Sequence, residues 1–371
     1  MLEAPSLLLT VGAFLLLLGP LVIVHELGHY LVGRLFGIHA DAFAVGFGKE
    51  LAGWTDKRGT RWKLCAWPLG GYVQFAGDMN AASMPDPAAD ALPEAERARL
   101  FQFKPLWQRS LVVAAGPVTN LLFAVLIFAA FNFAFGKVVA STEIARFSEN
   151  SAAQAAGMKL GDRIIALDGT PVESFMDIPE MVAPYPGRTM DVAVMRGGEE
   201  QTFKVRIADT VEKDRFGNEG RVGRLGIGAG KVDIAPVGPG DAVALGGRQT
   251  FGIMRTMVAG LGQIFTGERS VKELGGPIKI AKYSGEQLSL GWLSFVSFAA
   301  MISINLAFIN LLPIPALDGG HLAFYAAEAV RRKPLGARSQ EWAFRMGLAL
   351  VLALMLFVTL NDIASLPVFG G

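Results

Sequence analysis

Two histidines and a glutamate stand where a long apolar run ends. Leu7-Leu8-Leu9 through Leu21-Val22-Ile23-Val24 leads almost without polar interruption into His25-Glu26-Leu27-Gly28-His29. A stretch this apolar and this long satisfies its backbone in lipid only as a helix or within a closed barrel. On a helix, positions i and i+4 share a face, so both imidazoles can reach one ion. The Glu between them can then act on a water at that ion. With 4 His in 371 residues, the pattern arises by chance with odds of roughly one in a hundred. Two interfacial histidines at a helix end would be the bland reading. Ionisable residues at membrane depth are costly and usually functional, which argues against it.

The chain is 52% hydrophobic, with a mean hydropathy of +0.40. That is high for a soluble protein and modest for one made only of membrane spans, so spans and water-exposed domains are mixed. A net charge of +1 implies no broad nucleic-acid footprint. The single cysteine, Cys65, can form no internal disulfide and lacks partners for a thiolate metal cluster. Met1-Leu2-Glu3-Ala4-Pro5 has no basic segment of the signal-peptide kind. The apolar run continues into the histidines, so it reads as a retained span.

Four segments are long and apolar enough to cross a bilayer: about 6–28, 111–135, 290–312 and 344–365. Basic residues orient them. Arg34, Lys49, Lys57, Arg58, Arg61, Lys63, Arg97, Arg99, Lys104 and Arg109 lie between the first and second spans. Arg331, Arg332, Lys333 and Arg338 lie between the third and fourth. The positive-inside rule places both loops in the cytosol, and both termini and the segment 136–289 outside.

Residues 39–76 read as strands, with Asp56-Lys57-Arg58-Gly59 as a hairpin turn and Pro68 to Phe75 as a Gly-broken strand. This apolar hairpin abuts the histidine helix and is expected to dip into the membrane, the alternative being a small cytosolic sheet. Residues 80–99, rich in Ala, Pro, Asp and Glu, read as a linker. Residues 138–208 carry a short helix ended by Gly157, a strand-turn-strand from Leu160 to Val172, a helix from Phe175 to Ala183, and alternating strands Met190–Met195 and Gln201–Ile207. That order, with its AAGMKLGDRIIALDG stretch, resembles a PDZ domain, which takes peptides by strand addition. Residues 240–265 read as an amphipathic helix, either on the outer membrane surface or packed on that domain.

A catalytic zinc usually has three protein ligands and one open position. His39, His321 and any Asp or Glu at membrane depth are candidates for the third. Asp318 ends the third span at the depth of His25 and His29, after Pro313 and Pro315 and before Gly319 and Gly320. These glycines allow a close approach of backbone to the site. HELGH and NLLPIPALDGGH resemble the paired motifs of the site-2 proteases, a family of intramembrane zinc metalloproteases. PLGGYV, GPVTN at 116–120 and ELGGPIKIAK at 273–282 are similar to the bacterial subgroup that regulates sigma-E. Better-known members of that subgroup carry two tandem PDZ domains, whereas this length accommodates one.

The resemblance implies a polytopic α-helical membrane protein of about four transmembrane helices, with a membrane-associated β-hairpin region and an inserted α+β PDZ-like domain. Its segments are the first helix in 1–36, hairpin loop and linker in 37–110, second helix in 111–136, and PDZ-like domain in 137–210. A linker with the amphipathic helix follows in 211–288, the third helix in 289–318, a cytosolic loop in 319–343, and the fourth helix and tail in 344–371. It implies one zinc ion held by His25, His29 and Asp318, with Glu26 as general base and then proton donor. Asn310, Gly70, Gly71 and Tyr72 are assigned to substrate, and His321 to a supporting rather than a ligating place. The implied activity is peptide-bond hydrolysis in or near a membrane span, at the cytosolic side of a bacterial inner membrane. The partners implied are a single-span protein substrate (an anti-sigma factor or a remnant signal peptide), the bilayer, and a peptide or protein ligand of the PDZ-like domain. No nucleic-acid partner is expected. A zinc carrier fits poorly with one His-Glu-His cluster, a dead scaffold would lack Glu26 or a ligand, and a membrane-anchored soluble-type enzyme would not place the motif directly after a span.

Overall fold

The computed structural model describes residues 5–77, 92–213, 219–230, 232–267, 270–271, 275–333 and 335–364. The chain divides into two compact units, Met1–Ile127 with Gly275–Asp362, and Phe128–Leu274 with Ile363–Gly371. Most of the expected linker at 80–99, and the end of the tail, lie outside the described residues.

In the first unit, α1 (Leu7–Leu35) starts at a Ser6 cap, whose hydroxyl accepts the Leu9 N–H at 3.3 Å. At 1.5 Å per residue it spans about 44 Å, enough to cross a membrane. Ala13, Leu17, Leu21, His25 and Gly28 recur at three- and four-residue spacing and form its buried stripe. The helix does not stop near residue 28. Tyr30, Leu31 and Val32 continue the apolar pattern, so the HExxH segment lies inside the helix and not at its end.

β1 (Ala40–Thr55) and β2 (Arg61–Phe75) form a folded-over sheet. Arg61–Leu64 pairs antiparallel with residues 52–55 on one side and runs in the same direction as residues 42–45 on the other, and Gly71–Phe75 returns antiparallel along the first half of β1. Asp56 fixes the turn by accepting the Trp62 indole N–H (3.1 Å) and the backbone N–H groups of Arg58 (2.8 Å) and Thr60 (3.0 Å). These bonds, the indole's foremost, hold its carboxyl below the usual carboxylate range. The inner half of the sheet buries Phe43 and Phe75 against Tyr30, Ile38 and Phe101. The outer half leaves Phe47, Leu51, Trp54 and Trp67 exposed.

A short α2 (Glu94–Arg97) leads to α3 (Leu106–Phe135), which begins five residues before the apolar run because Pro105 supplies a helical start. The second unit follows, with β3 (Lys137–Ala140), β4 (Arg146–Phe147), α4 (Ala152–Ala155), β5 (Arg163–Leu167), β6 (Thr170–Pro171), α5 (Asp177–Val182), β7 (Thr189–Arg196), β8 (Glu199–Arg206), β9 (Ala208–Lys213), β10 (Glu219–Arg224), β11 (Ile227–Gly228) and β12 (Val232–Ala235). The main sheet has the order β6-β5-β7-β8. Met190, Val192 and Val194 alternate inward along β7 onto Ile164, Leu167, Ile178 and Val205. Strand pairing does not end at residue 210. β11 pairs with β4 and β12 with β3, and strands of two to four residues leave almost no periodic signal. Asp162, 1% exposed, takes a two-pronged ion pair from Arg196 at 2.7 and 2.6 Å, which holds its carboxyl below the usual range. α6 (Pro239–Phe265) turns Ala242, Gly246 and Thr250 inward. It is tied by Arg248 to Glu173 (2.9 Å) and by Gln249 to Asn132 (3.0 Å). Val243, Phe251, Val258 and Phe265 stay exposed.

The first unit is completed by α7 (Pro277–Ser289), α8 (Trp292–Leu311), α9 (Asp318–Arg331) and α10 (Ala337–Ala364). The Asp362 carboxylate accepts the N–H groups of Gly276 (3.1 Å) and Lys279 (3.0 Å), capping α7 from the end of α10. α1, α3, α8 and most of α10 are long and apolar enough to span a membrane. Two of these elements went unread in the sequence: α7, and α9 within the expected loop 319–343.

Candidate metal centre

α1 brings His25, Glu26 and His29 to one face. Asp318 arrives differently, because α8 ends at Leu311 and the chain crosses to α9 through Leu312–Leu317. Ala316 takes a positive φ of 81° there, an uncommon state for a residue with a side chain. A Cβ on Gly319 would strike the carbonyls of Leu311 and Leu312, and one on Gly320 that of Ile314. Both glycines thus let α9 fold back against the end of α8. Asp318 is its first residue and faces the two imidazoles.

His25 Nε2 lies 3.1 Å from Asp318 Oδ2 and 3.2 Å from His29 Nε2, and the third edge, His29 Nε2 to Asp318 Oδ2, is 3.6 Å. Ligands 2.0–2.1 Å from a tetrahedral zinc stand about 3.3 Å apart, so the triangle has the dimensions of one tetrahedral face. Oδ2 of Asp318 is buried, and the two imidazole Nε2 atoms are the polar groups that face it. Two imidazole nitrogens and one carboxylate oxygen converging on a common point are a donor set that fits one zinc ion.

The surroundings orient this set. His29 Nδ1 is 2.8 Å from the Val112 carbonyl. It donates there, leaving Nε2 for an ion. Asn120 of α3, fully buried, puts its amide 3.3 Å from His25 Nδ1, and its carbonyl accepts the Ser303 hydroxyl at 2.9 Å. Glu26 Oε2 accepts the Val73 N–H at 3.1 Å, so β2 holds the glutamate beside the cluster. Gly116 is required by space, because a Cβ there would collide with His29 Nε2.

A cavity of about 630 Å³ opens onto the cluster. Of the residues read from the sequence, His25, Glu26, His29, Asp318, Asn310, Gly71 and Tyr72 line it, and His321 lies on its wall. Gly70 is not among the lining residues; its positive φ of 100° turns β2 beside the Phe47 ring. His39 lies apart from the cluster and faces Asp41 at 3.6 Å. Val73, Val112, Gly116 and Asn120 went unread as supports. Val73 and Gly116 stand in PLGGYV and GPVTN, but Val73 and Val112 act through backbone atoms and Gly116 through a missing side chain, roles that residue identity does not announce. Asn120 had a signal, a carboxamide inside an apolar span.

The sequence profile of peptidase family M50 matches residues 13–354. A protein of Agrobacterium fabrum named as a putative zinc metalloprotease is 45% identical over 358 residues, 95% of each chain. One of Rhizobium meliloti with the same description is 44% identical over 95% of this chain and 96% of its own. Metalloprotease MmpA of Caulobacter vibrioides is 36% identical over 98% and 97%.

Proposed function

Since the chain belongs to peptidase family M50, the site-2 protease family of zinc metalloproteases, we propose that it cleaves a peptide bond in or near a membrane span, with His25, His29 and Asp318 as zinc ligands and Glu26 as base. The observation that carries this reading is the triangle of His25, His29 and Asp318, with both histidines on a helix long and apolar enough to cross a membrane. Zinc bound there would supply a Lewis acid that polarises the scissile carbonyl and lowers the pKa of water toward about 7. Glu26 takes the proton of the attacking water and passes it to the leaving nitrogen. Val73 N–H keeps Oε2 in place for both transfers. A helical substrate hides its carbonyls in backbone bonds and must unwind before attack. The β1–β2 sheet supplies strand edges for the unwound segment, with Gly71, Tyr72 and Asn310 at the cavity.

The exposed Phe47, Leu51, Trp54 and Trp67 support a hairpin that dips into the bilayer. The basic loops support a cytosol-facing site, with the segment 136–289 outside the cytoplasmic membrane of a bacterium. Helix and strand order in the second unit support a PDZ-like domain that binds peptide or restricts access. The short motifs support the sigma-E-regulating subgroup, with anti-sigma factors or remnant signal peptides as substrates in regulated proteolysis and stress response. The exposed apolar face of α6 supports a resting place on the outer membrane surface.

The test is cleavage of a tagged single-span substrate by purified protein in detergent, beside Glu26→Gln and a chelated sample. Loss in both is expected. Cleavage that persists in Glu26→Gln would sink the assignment. A span carrying Gly and Ser should be cut faster than a Leu-rich one, and equal rates would refute the unwinding step.

A further inference from the structure

We propose that Asn120 is a positioning residue that sets the tautomer of His25, an inference that rests on the zinc reading above. His25 presents Nε2 to His29 and Asp318, at 3.2 and 3.1 Å. A neutral imidazole that gives an Nε2 lone pair to an ion carries its proton on Nδ1. Nδ1 is then a donor and needs an acceptor. Asn120 is the side chain that faces it, 3.3 Å away and fully buried.

The amide of Asn120 offers one end of each kind. With Nδ2 toward Nδ1, as here, the amide donates and His25 keeps its proton on Nε2, next to the Asp318 carboxylate. Asn120 Oδ1 is then buried with no partner among the described residues. With Oδ1 turned toward Nδ1, the amide accepts, and the Nε2 lone pair is freed. The two ends of a carboxamide are nearly equal in shape, so the change is a half-turn about one bond. The Asn120 backbone is pinned by the Ser303 hydroxyl on its carbonyl, so the amide stays at one distance from His25. His29 has no such choice, because its Nδ1 meets a main-chain carbonyl that can only accept. The two histidines are therefore not equivalent. His29 is fixed for metal by the backbone, and His25 is set by a side chain that serves either the proton-bearing or the metal-ready tautomer.

The experiment measures zinc affinity of the full-length protein in detergent, by competition with a chromophoric chelator, for wild type, Asn120→Ala and Asn120→Asp. Thermal unfolding of the chelated samples checks that each is folded. An outer partner of a ligating imidazole is worth about 10–100-fold in affinity. Asn120→Ala should lose that factor, and Asn120→Asp, whose carboxylate can only accept, should restore it. Wild-type affinity in folded Asn120→Ala overturns the proposal. Equal weakening of folded Asn120→Ala and Asn120→Asp also overturns it, since amide shape and not an acceptor would then be what the site needs. Failure of wild type itself to hold one zinc would instead refute the ligand assignment on which the proposal stands.

Discussion

Gly116→Ala adds one methyl group where the structure has least room for it. The new Cβ would lie 2.6 Å from His29 Cε1 and 2.8 Å from His25 Cε1, and closer still to His29 Nε2. Carbon atoms rest at about 3.5–4.0 Å, so at least one imidazole must retreat by roughly 1 Å. The retreating atoms are the metal-facing edges of the rings, and displacements of that size cost roughly 100-fold in rate. We expect kcat/KM on a single-span substrate to fall at least about 100-fold, or about 2.7 kcal/mol in transition-state stabilisation. Zinc content by metal analysis should fall with it. Helix propensity does not explain such a loss, because Ala is favoured over Gly within a helix by roughly 1 kcal/mol. A folded Gly116→Ala protein with full zinc and wild-type turnover would refute the packing argument, and with it the placement of the ligand edges against α3.

Glu26→Gln should lower kcat by about 10²–10⁴ with zinc content unchanged, since Glu26 is not a ligand; metal analysis beside turnover checks the split. Asp318→Asn should weaken zinc by more than the roughly 10–100-fold that an outer partner is worth, read by chelator competition. Glu328, 7% exposed, accepts from Arg109 at 3.2 Å and from the Leu335 N–H. Arg109→Leu should therefore cost about 3 kcal/mol by stranding a buried carboxylate, and the double change with Glu328→Leu should recover most of it in thermal unfolding. Asp162 has a folded-state pKa below its unfolded value, so its contribution is complete above about pH 5 and is lost as pH falls through about 3.9 and below. Pulse proteolysis of the second unit should show wild type losing more stability than Asp162→Asn over that range.

The chemistry was legible because residue identity and spacing carry it. An i, i+4 pair of histidines on an apolar helix needs no tertiary knowledge to be read as one face. Asp318 was reached through the resemblance of its motif, since nothing in the spacing ranks it above His39 or His321. The apolar runs of α1, α3, α8 and α10 were legible for the same reason, as lipid requires long uninterrupted stretches. Helix α7 was not, because its sequence PIKIAKYSGEQLS has modest apolar content, and much of its support comes from Asp362 at the far end of the first unit. Nor was α9, whose first turn follows two prolines and carries two glycines, the signals of a loop. Strands β11 and β12 are too short for period-2 alternation and exist through partners about 80 residues and more earlier in the chain.

Two of the bonds that hold the proposed base and one proposed ligand, Val73 N–H on Glu26 and the Val112 carbonyl on His29, belong to the main chain. Their donors and acceptors do not change when the side chain at position 73 or 112 changes, provided the strand and helix stay where they are. The site is thereby buffered against drift at both positions. Proline at 73, which abolishes the donor, is the one replacement that removes a contact outright. Relatives could exchange these two residues for others that fill the same space and keep the same working geometry.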